Sequence, residues 1–202
     1  MGSPADVVLA GLPGRRLLCL LAGDRDQVLL VGPCERNRDM KEKVKTLDLL
    51  KLIAAIVLCQ LAGGIGAFAT APAISTWYQA LQKPSFSPPH WIFAPVWLVL
   101  YTLMGISLFL VWRGGLRIPE VRRALVWFFI QLTLNALWSW AFFGLRSPLW
   151  GLIDISLLWI AIGLTLLHFW KISRMAGLLL VPYILWVSFA ALLNFSIYRL
   201  NP

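Results

Sequence analysis

The sequence predicts an all-α polytopic membrane protein, a bundle of five transmembrane helices. Three observations carry this. The chain is 59% hydrophobic and only 13% charged, against roughly 25% charged in an average soluble domain. Five stretches are nearly free of charge and long enough to cross about 30 Å of hydrocarbon as helices: Leu52–Ala69, Trp91–Trp112, Ala124–Leu145, Leu149–Trp170 and Ala176–Tyr198. None shows the period-two alternation of a membrane barrel strand. Finally, the basic residues fall on alternate connections.

Taken in order, the chain divides into an N-terminal extension, 1–44, and a five-helix domain, 45–202. Residues 1–39 contain no Trp, Phe or Tyr, and their apolar patches are short and broken by Arg15, Arg16, Asp24, Arg25 and Asp26. They match neither a cleavable signal nor an acid-poor transit peptide. Two readings stand: a mobile cytoplasmic extension, or an upstream start with Met40 as the natural beginning. Arg36, Arg38, Lys41, Lys43, Lys45 and Lys51 then flank the first span.

Arg113, Arg117, Arg122 and Arg123 lie in the second connection, and Lys171 and Arg174 in the fourth. The opposite side holds Lys83, Arg146 and Arg199. Basic residues favour the cytoplasmic face, so the N-terminus is expected in the cytoplasm and the C-terminus outside. The formal charge of +9 is then a topology signal, with attraction to anionic lipid as a secondary effect, and no nucleic-acid partner is expected. A bacterial cell membrane is the expected location, or the mitochondrial outer membrane in a eukaryote. Cys19, Cys34 and Cys59 show no metal-ligand spacing and no CxxC pair. No catalytic triad, phosphate loop or HExxH is present, so no catalytic residue and no metal site is assigned.

Within the first span, Gly63, Ala67 and Ala71 recur every four residues, a spacing that lets helices approach closely in lipid. This suits packing within the monomer or a dimer face. The loop from Trp77 to the next span is rich in aromatics and contains Pro84, Pro88 and Pro89. Prolines fix φ and need no donor partner, so this loop reads as a semi-rigid lid. Trp91, Trp112, Trp150 and Trp170 lie at span ends, where indoles prefer the lipid–water interface.

Other aromatics form stripes inside the spans. Trp97 and Tyr101 share a face of the second span with Met104 or Gly105 and Leu108. Asn135, Trp138 and Phe142 share one in the third, and Pro182, Trp186, Ala190 and Asn194 one in the fifth. Asn135 and Asn194 are costly in lipid and belong in the bundle interior. Ala190 beside Trp186 leaves space, so the stripes together suggest an aromatic-walled cavity with polar anchors. Asp154 is the only acid inside a span; a proton or substrate contact and an anchored, partly wetted helix start are its two readings.

The order W-Y-x-x-L-x-K-P-x-F-x-P-P from Trp77 to Pro89 and W-x-F-x-P-V-W-x-x-x-Y-x-x-M-G from Trp91 to Gly105 closely resembles the TspO/MBR family. So do N-x-x-W-x-x-x-F-F-G from Asn135 to Gly144 and P-Y-x-x-W-V-x-F-A-x-x-L-N from Pro182 to Asn194. This family comprises the tryptophan-rich sensory proteins and the mitochondrial translocator protein, or peripheral-type benzodiazepine receptor. The resemblance covers roughly Lys45 to Asn201. It implies a five-helix homodimer whose first loop lids a pocket for porphyrin-type small molecules.

Positions matching that pocket are Trp97, Tyr101, Asn135, Trp138, Trp186 and Ala190, with Phe142 and Asn194 on the same faces. Trp77, Lys83, His90 and Arg146 are the expected lid and carboxylate contacts. The expected partners are protoporphyrin IX or haem as ligand, membrane lipid and a second copy of the chain, with no obligatory cofactor. The implied role is a tetrapyrrole-binding sensor or regulator. A transporter of porphyrins or other amphipaths, and a light-dependent porphyrin-degrading enzyme, are the alternatives. The cholesterol-recognition pattern of the family's animal members is not met in "LLNFSIYRLN", where Phe195 stands in place of Tyr and Tyr198 abuts Arg199.

Overall fold

The computed structural model describes residues 20–22, 28–30, 35–74 and 76–201, with side chains from residue 45 onward. The chain divides into two units, Met1–Leu49 and Leu50–Pro202. In the first, β1 (Leu20–Ala22) and β2 (Val28–Leu30) pair antiparallel, with Leu21 opposite Leu29. Most of the expected mobile extension lies outside the described residues.

The helices are α1 (Glu35–Ile74), the single turn α2 (Trp77–Ala80), α3 (His90–Trp112), α4 (Pro119–Ser139), α5 (Pro148–Ile172) and α6 (Arg174–Leu200). A π-helical turn, Trp140–Gly144, continues α4. Five segments are long and apolar enough to cross a membrane: Lys45–Ile74, His90–Trp112, Pro119–Gly144, Pro148–Ile172 and Arg174–Leu200. These match the five expected spans in order and extend several of their ends. The first runs through Pro72, which near a helix end removes only one late hydrogen bond. The third starts at Pro119, five residues before its apolar run, because proline at the first helical position needs no N–H partner. Hydropathy locates the apolar stretch, whereas capping chemistry locates the helix end.

The connections are short and chemically specified. Ser147 caps α5 by accepting from Trp150 N at 3.4 Å, ahead of Pro148 at the first helical position. Ser173 is the only residue between α5 and α6, and it caps α6 by accepting from Ala176 N at 3.4 Å. A Cβ on Gly177 would lie 2.7 Å from Trp170 Cε3, so the sharpness of this corner requires glycine there. Gly115, with φ +99°, turns the chain from α3 into α4.

Helix α5 packs against α4 and α6, α6 also packs against α3, and α3 against α4, closing a ring of four helices. The interior is filled by Met104, Leu108 and Val111 of α3, Ala124 and Phe128 of α4, Leu158, Ile162 and Phe169 of α5, and Ala176, Leu180 and Val187 of α6. Phe128 and Phe169 stack with centroids 5.6 Å apart. A second cluster, Tyr78, Phe142, Leu193 and Ile197, sits at the end where the α1–α3 loop crosses. From Leu50 on, α1 lies outside the ring against α3 and, at Gly66, against Ser139 of α4. Where α1 and α3 cross, a Cβ on Gly105 would come within 2.5 Å of Ile56 Cα.

Gly105→Ala therefore forces the two backbones apart and is expected to destabilise the bundle by about 1–3 kcal/mol. The readout is a lowered thermal-unfolding midpoint in detergent. Gly64→Ala is the control: its Cβ meets nothing within 4 Å, and the midpoint should not move.

Candidate functional site

Between the two apolar clusters lies a cavity of about 530 Å³, walled by α1, α2, α3, α4 with its π turn, and α6. Each wall is set by local sequence. On α1 the lining residues Gly63, Gly64, Ala67 and Ala71 are small, so that helix contributes space rather than bulk. On α3, Trp97 and Tyr101 are four residues apart and stack with centroids 5.4 Å apart. On α4, Trp138 stacks on Phe142 at 5.4 Å, and the π turn carries Phe143 edge-on to both. On α6, Trp186 lies one turn before Ala190, whose short side chain leaves the centre open.

No water is available at membrane depth to satisfy polar groups, and the cavity's amides are bonded within the protein. Tyr101 OH donates to Asn135 Oδ1. Asn135 Nδ2 donates to Tyr183 OH at 3.0 Å, and Tyr183 OH donates to Gln131 Oε1 at 2.9 Å. This chain joins α3, α4 and α6 beneath the cavity. A second connection uses the other amide: Trp138 Nε1 donates to Asn194 Oδ1 at 3.2 Å, and Asn194 Nδ2 donates to Pro148 O at 2.8 Å. It fixes the Trp138 ring and holds the start of α5. Gly151 makes room, since a Cβ there would lie 2.7 Å from Phe142 Cδ2 and 2.8 Å from Asn194 Oδ1.

The loop closes one end. Tyr78 is buried against Phe142, Phe143 and His90, with ring centroids 5.5–6.2 Å away. Burial pushes the Tyr78 phenol up, with a hydrogen bond to Ser87 opposing, so the ring is neutral and Lys83 Nζ sits 4.5 Å from its centroid. Ser87 N bonds to Pro84 O at 3.0 Å, tightening the proline-rich turn. Asn201 anchors the loop from the far end of the chain: Gln82 N donates to Asn201 Oδ1, and Asn201 Nδ2 donates to Gln82 O, both at 3.0 Å.

All eight residues expected to form the pocket, Trp97, Tyr101, Asn135, Trp138, Phe142, Trp186, Ala190 and Asn194, line this one cavity. Of the four expected lid contacts, His90 lines it as well. Trp77 instead packs edge-on to Phe142 at 5.5 Å, and Lys83 is engaged with Tyr78. Arg146 occupies the turn before α5 with φ 51°. Pro182 departs from its stripe and faces an outer groove with Pro95 and Leu185. Asp154 is half-buried on α5 with Oδ2 unpartnered among the described residues, and it does not reach the cavity. Sequence reasoning missed Gln60, Gln131, Tyr183, Tyr78 and Asn201. The two glutamines carry the same signal as the asparagines, an amide inside a span, whereas Asn201 has none.

The TspO/MBR family matches residues 55–199 of the chain. The tryptophan-rich protein TspO of Chlorobaculum tepidum is 50% identical over 155 residues, covering 77% of this chain and 98% of that protein. The protein CrtK of Rhodobacter capsulatus is 39% identical over 156 residues, 77% of this chain and 96% of that protein. The human translocator protein is 41% identical over 127 residues, 62% of this chain and 75% of that protein.

Removing the loop anchor with Asn201→Ala deletes bonds worth about 0.5–1.5 kcal/mol each. Hydrogen exchange at the Gln82 amide is expected to accelerate roughly tenfold, while amides in the buried middle of α5 keep their protection.

Proposed function

Because the chain belongs to the TspO/MBR family and is a multi-pass membrane protein, we propose that it is a sensor or regulator that binds a tetrapyrrole, protoporphyrin IX or haem. The observation that carries this reading is the convergence of Trp97, Trp138 and Trp186, from three helices, on one cavity of about 530 Å³. That volume falls within the roughly 300–1,000 Å³ of small-molecule sites, which are mainly apolar with a few placed polar groups. Flat aromatic faces suit a flat conjugated ring. Indole contacts of this kind contribute about 0.5–1.5 kcal/mol each beyond area burial.

Polarity orients the ligand. The deep end, with Tyr101 and Asn135, has its donors committed to protein acceptors, so a carboxylate gains little there. The loop end offers His90 at the wall and Lys83 nearby over Tyr78. The proposed pose puts the macrocycle between the indoles and the propionates under the loop.

A dead-end pocket favours sensing over passage. Beneath Asn135 the interior is filled by Tyr183, Phe128 and Met104, each fully buried. A second copy of this chain is the proposed partner, to be tested by light scattering of the purified protein.

Titration with protoporphyrin IX, followed by quenching of Trp fluorescence, tests the proposal. Trp138→Ala and Trp186→Ala should each weaken affinity by about twofold to tenfold, whereas Trp150→Ala, on the exposed outer face, should not. Unchanged affinity in both cavity variants would remove the reading.

A further inference from the structure

The facing stripes of α1 and α3 touch at one level and part at the next. At the crossing, Ile56 lies against Gly105. One turn along α1, Gln60 Nε2 donates to Thr102 Oγ1 at 3.1 Å and to Leu98 O at 3.0 Å. Next, Gly63 meets the Tyr101 ring. Continuing in this antiparallel register, Gly64, Ala67 and Ala71 of α1 come opposite Leu98 and Ala94 of α3. In a close-packed pair all five would be buried. Instead all five are exposed, Leu98 at 60%, and the same five line the cavity. Beyond the Gly63–Tyr101 contact, this face of the α1–α3 pair is left open as a slot in the cavity's side.

The slot lies within the spans Lys45–Ile74 and His90–Trp112, so it opens onto lipid rather than water. Its rim carries no charge. Of the hydroxyls beside it, Thr70 Oγ1 donates to Gly66 O at 2.9 Å and Thr102 Oγ1 to Leu98 O at 2.8 Å, and the flanking Leu61, Ile65 and Phe68 are exposed apolar residues. At the loop end, Tyr78, His90 and Phe93 stand across the alternative way in.

We infer that the α1–α3 slot is a lateral doorway through which a flat, lipid-dissolved amphipath passes between the bilayer and the cavity. This rests on the cavity being a ligand site. The doorway selects by partition: a molecule must first dissolve in the bilayer, so hydrophilic anions are excluded at the rim before the pocket contacts them. Small side chains at Gly64, Ala67 and Ala94 set its width, and the Gly63–Tyr101 contact sets its lower limit.

Bulk at the rim should slow entry and exit together. In nanodiscs, with protoporphyrin IX as the probe and stopped-flow Trp quenching as the readout, Gly64→Leu and Ala94→Phe are expected to slow association and dissociation alike. The expected slowing is about tenfold in both rates; because Gly64 and Ala94 also line the cavity, a variant that merely spoils the pocket would instead speed dissociation, and that result would contradict the doorway. Wild-type rates in both variants would overturn the doorway.

A second measurement needs no porphyrin. Spin labels at Ala67→Cys and Ala94→Cys, in a chain whose three native cysteines are replaced, should relax more with oxygen than with a water-soluble nickel chelate. The reverse preference would contradict an opening onto lipid. If protoporphyrin fails to bind the wild-type protein, the tetrapyrrole reading falls, and the spin labels still decide where the slot opens.

Discussion

The bundle depends on the side chain of Asn135. An amide in hydrocarbon must find its partners within the protein, and this one finds them on two other helices, accepting from Tyr101 of α3 and donating to Tyr183 of α6. These bonds fix how α3, α4 and α6 approach one another at a single level. On one side of that level the interior packs solid around Phe128, Met104 and Leu158. On the other, the helices carry indoles set apart by Ala190 and by the glycines of α1, and space remains. Membrane hydrogen bonds of this type average only about 0.6 kcal/mol, so the network's main effect is geometric. It fixes where packing ends and the cavity begins.

Asn194 acts likewise one level up, where it ties Trp138 to the start of α5. Two amides thereby immobilise a wall built from large flexible aromatics, and Asn201 does the same for the loop that covers it. Helix α1 is held differently. It meets α3 at Gly105, Gln60 and Gly63, then turns its buried face to α4, where Gly66 lies against Ser139. A ring of four helices, with the fifth applied along α3 and α4, gives a preformed cavity with one open side.

The five spans and the pocket faces were legible because both follow from repetition: apolar runs of membrane length, and amides recurring beside tryptophan. Where the reading slipped, simple geometry explains it. The stripe Pro182, Trp186, Ala190, Asn194 steps by four, and each such step drifts about 40° around an α-helix. By Pro182 the accumulated turn points outward, and Tyr183 faces the interior instead. The π turn at Trp140–Gly144 and the pairing of Gln82 with Asn201 were not legible. The first depends on backbone bonds that span five residues, such as Leu145 N to Trp140 O and Ser147 N to Phe142 O, and the second joins residues 119 positions apart.

The proposed tetrapyrrole, seated between the indoles of the aromatic cavity, would be held in a fixed orientation. Visible circular dichroism of purified protein mixed with protoporphyrin IX tests this most directly, because the free porphyrin is optically inactive and acquires a signal only in a fixed chiral setting. An induced band is expected in the Soret region, and it should disappear in Ala190→Phe, which fills the cavity's centre. A band of full strength in that variant, or none in the wild-type protein, would contradict that placement.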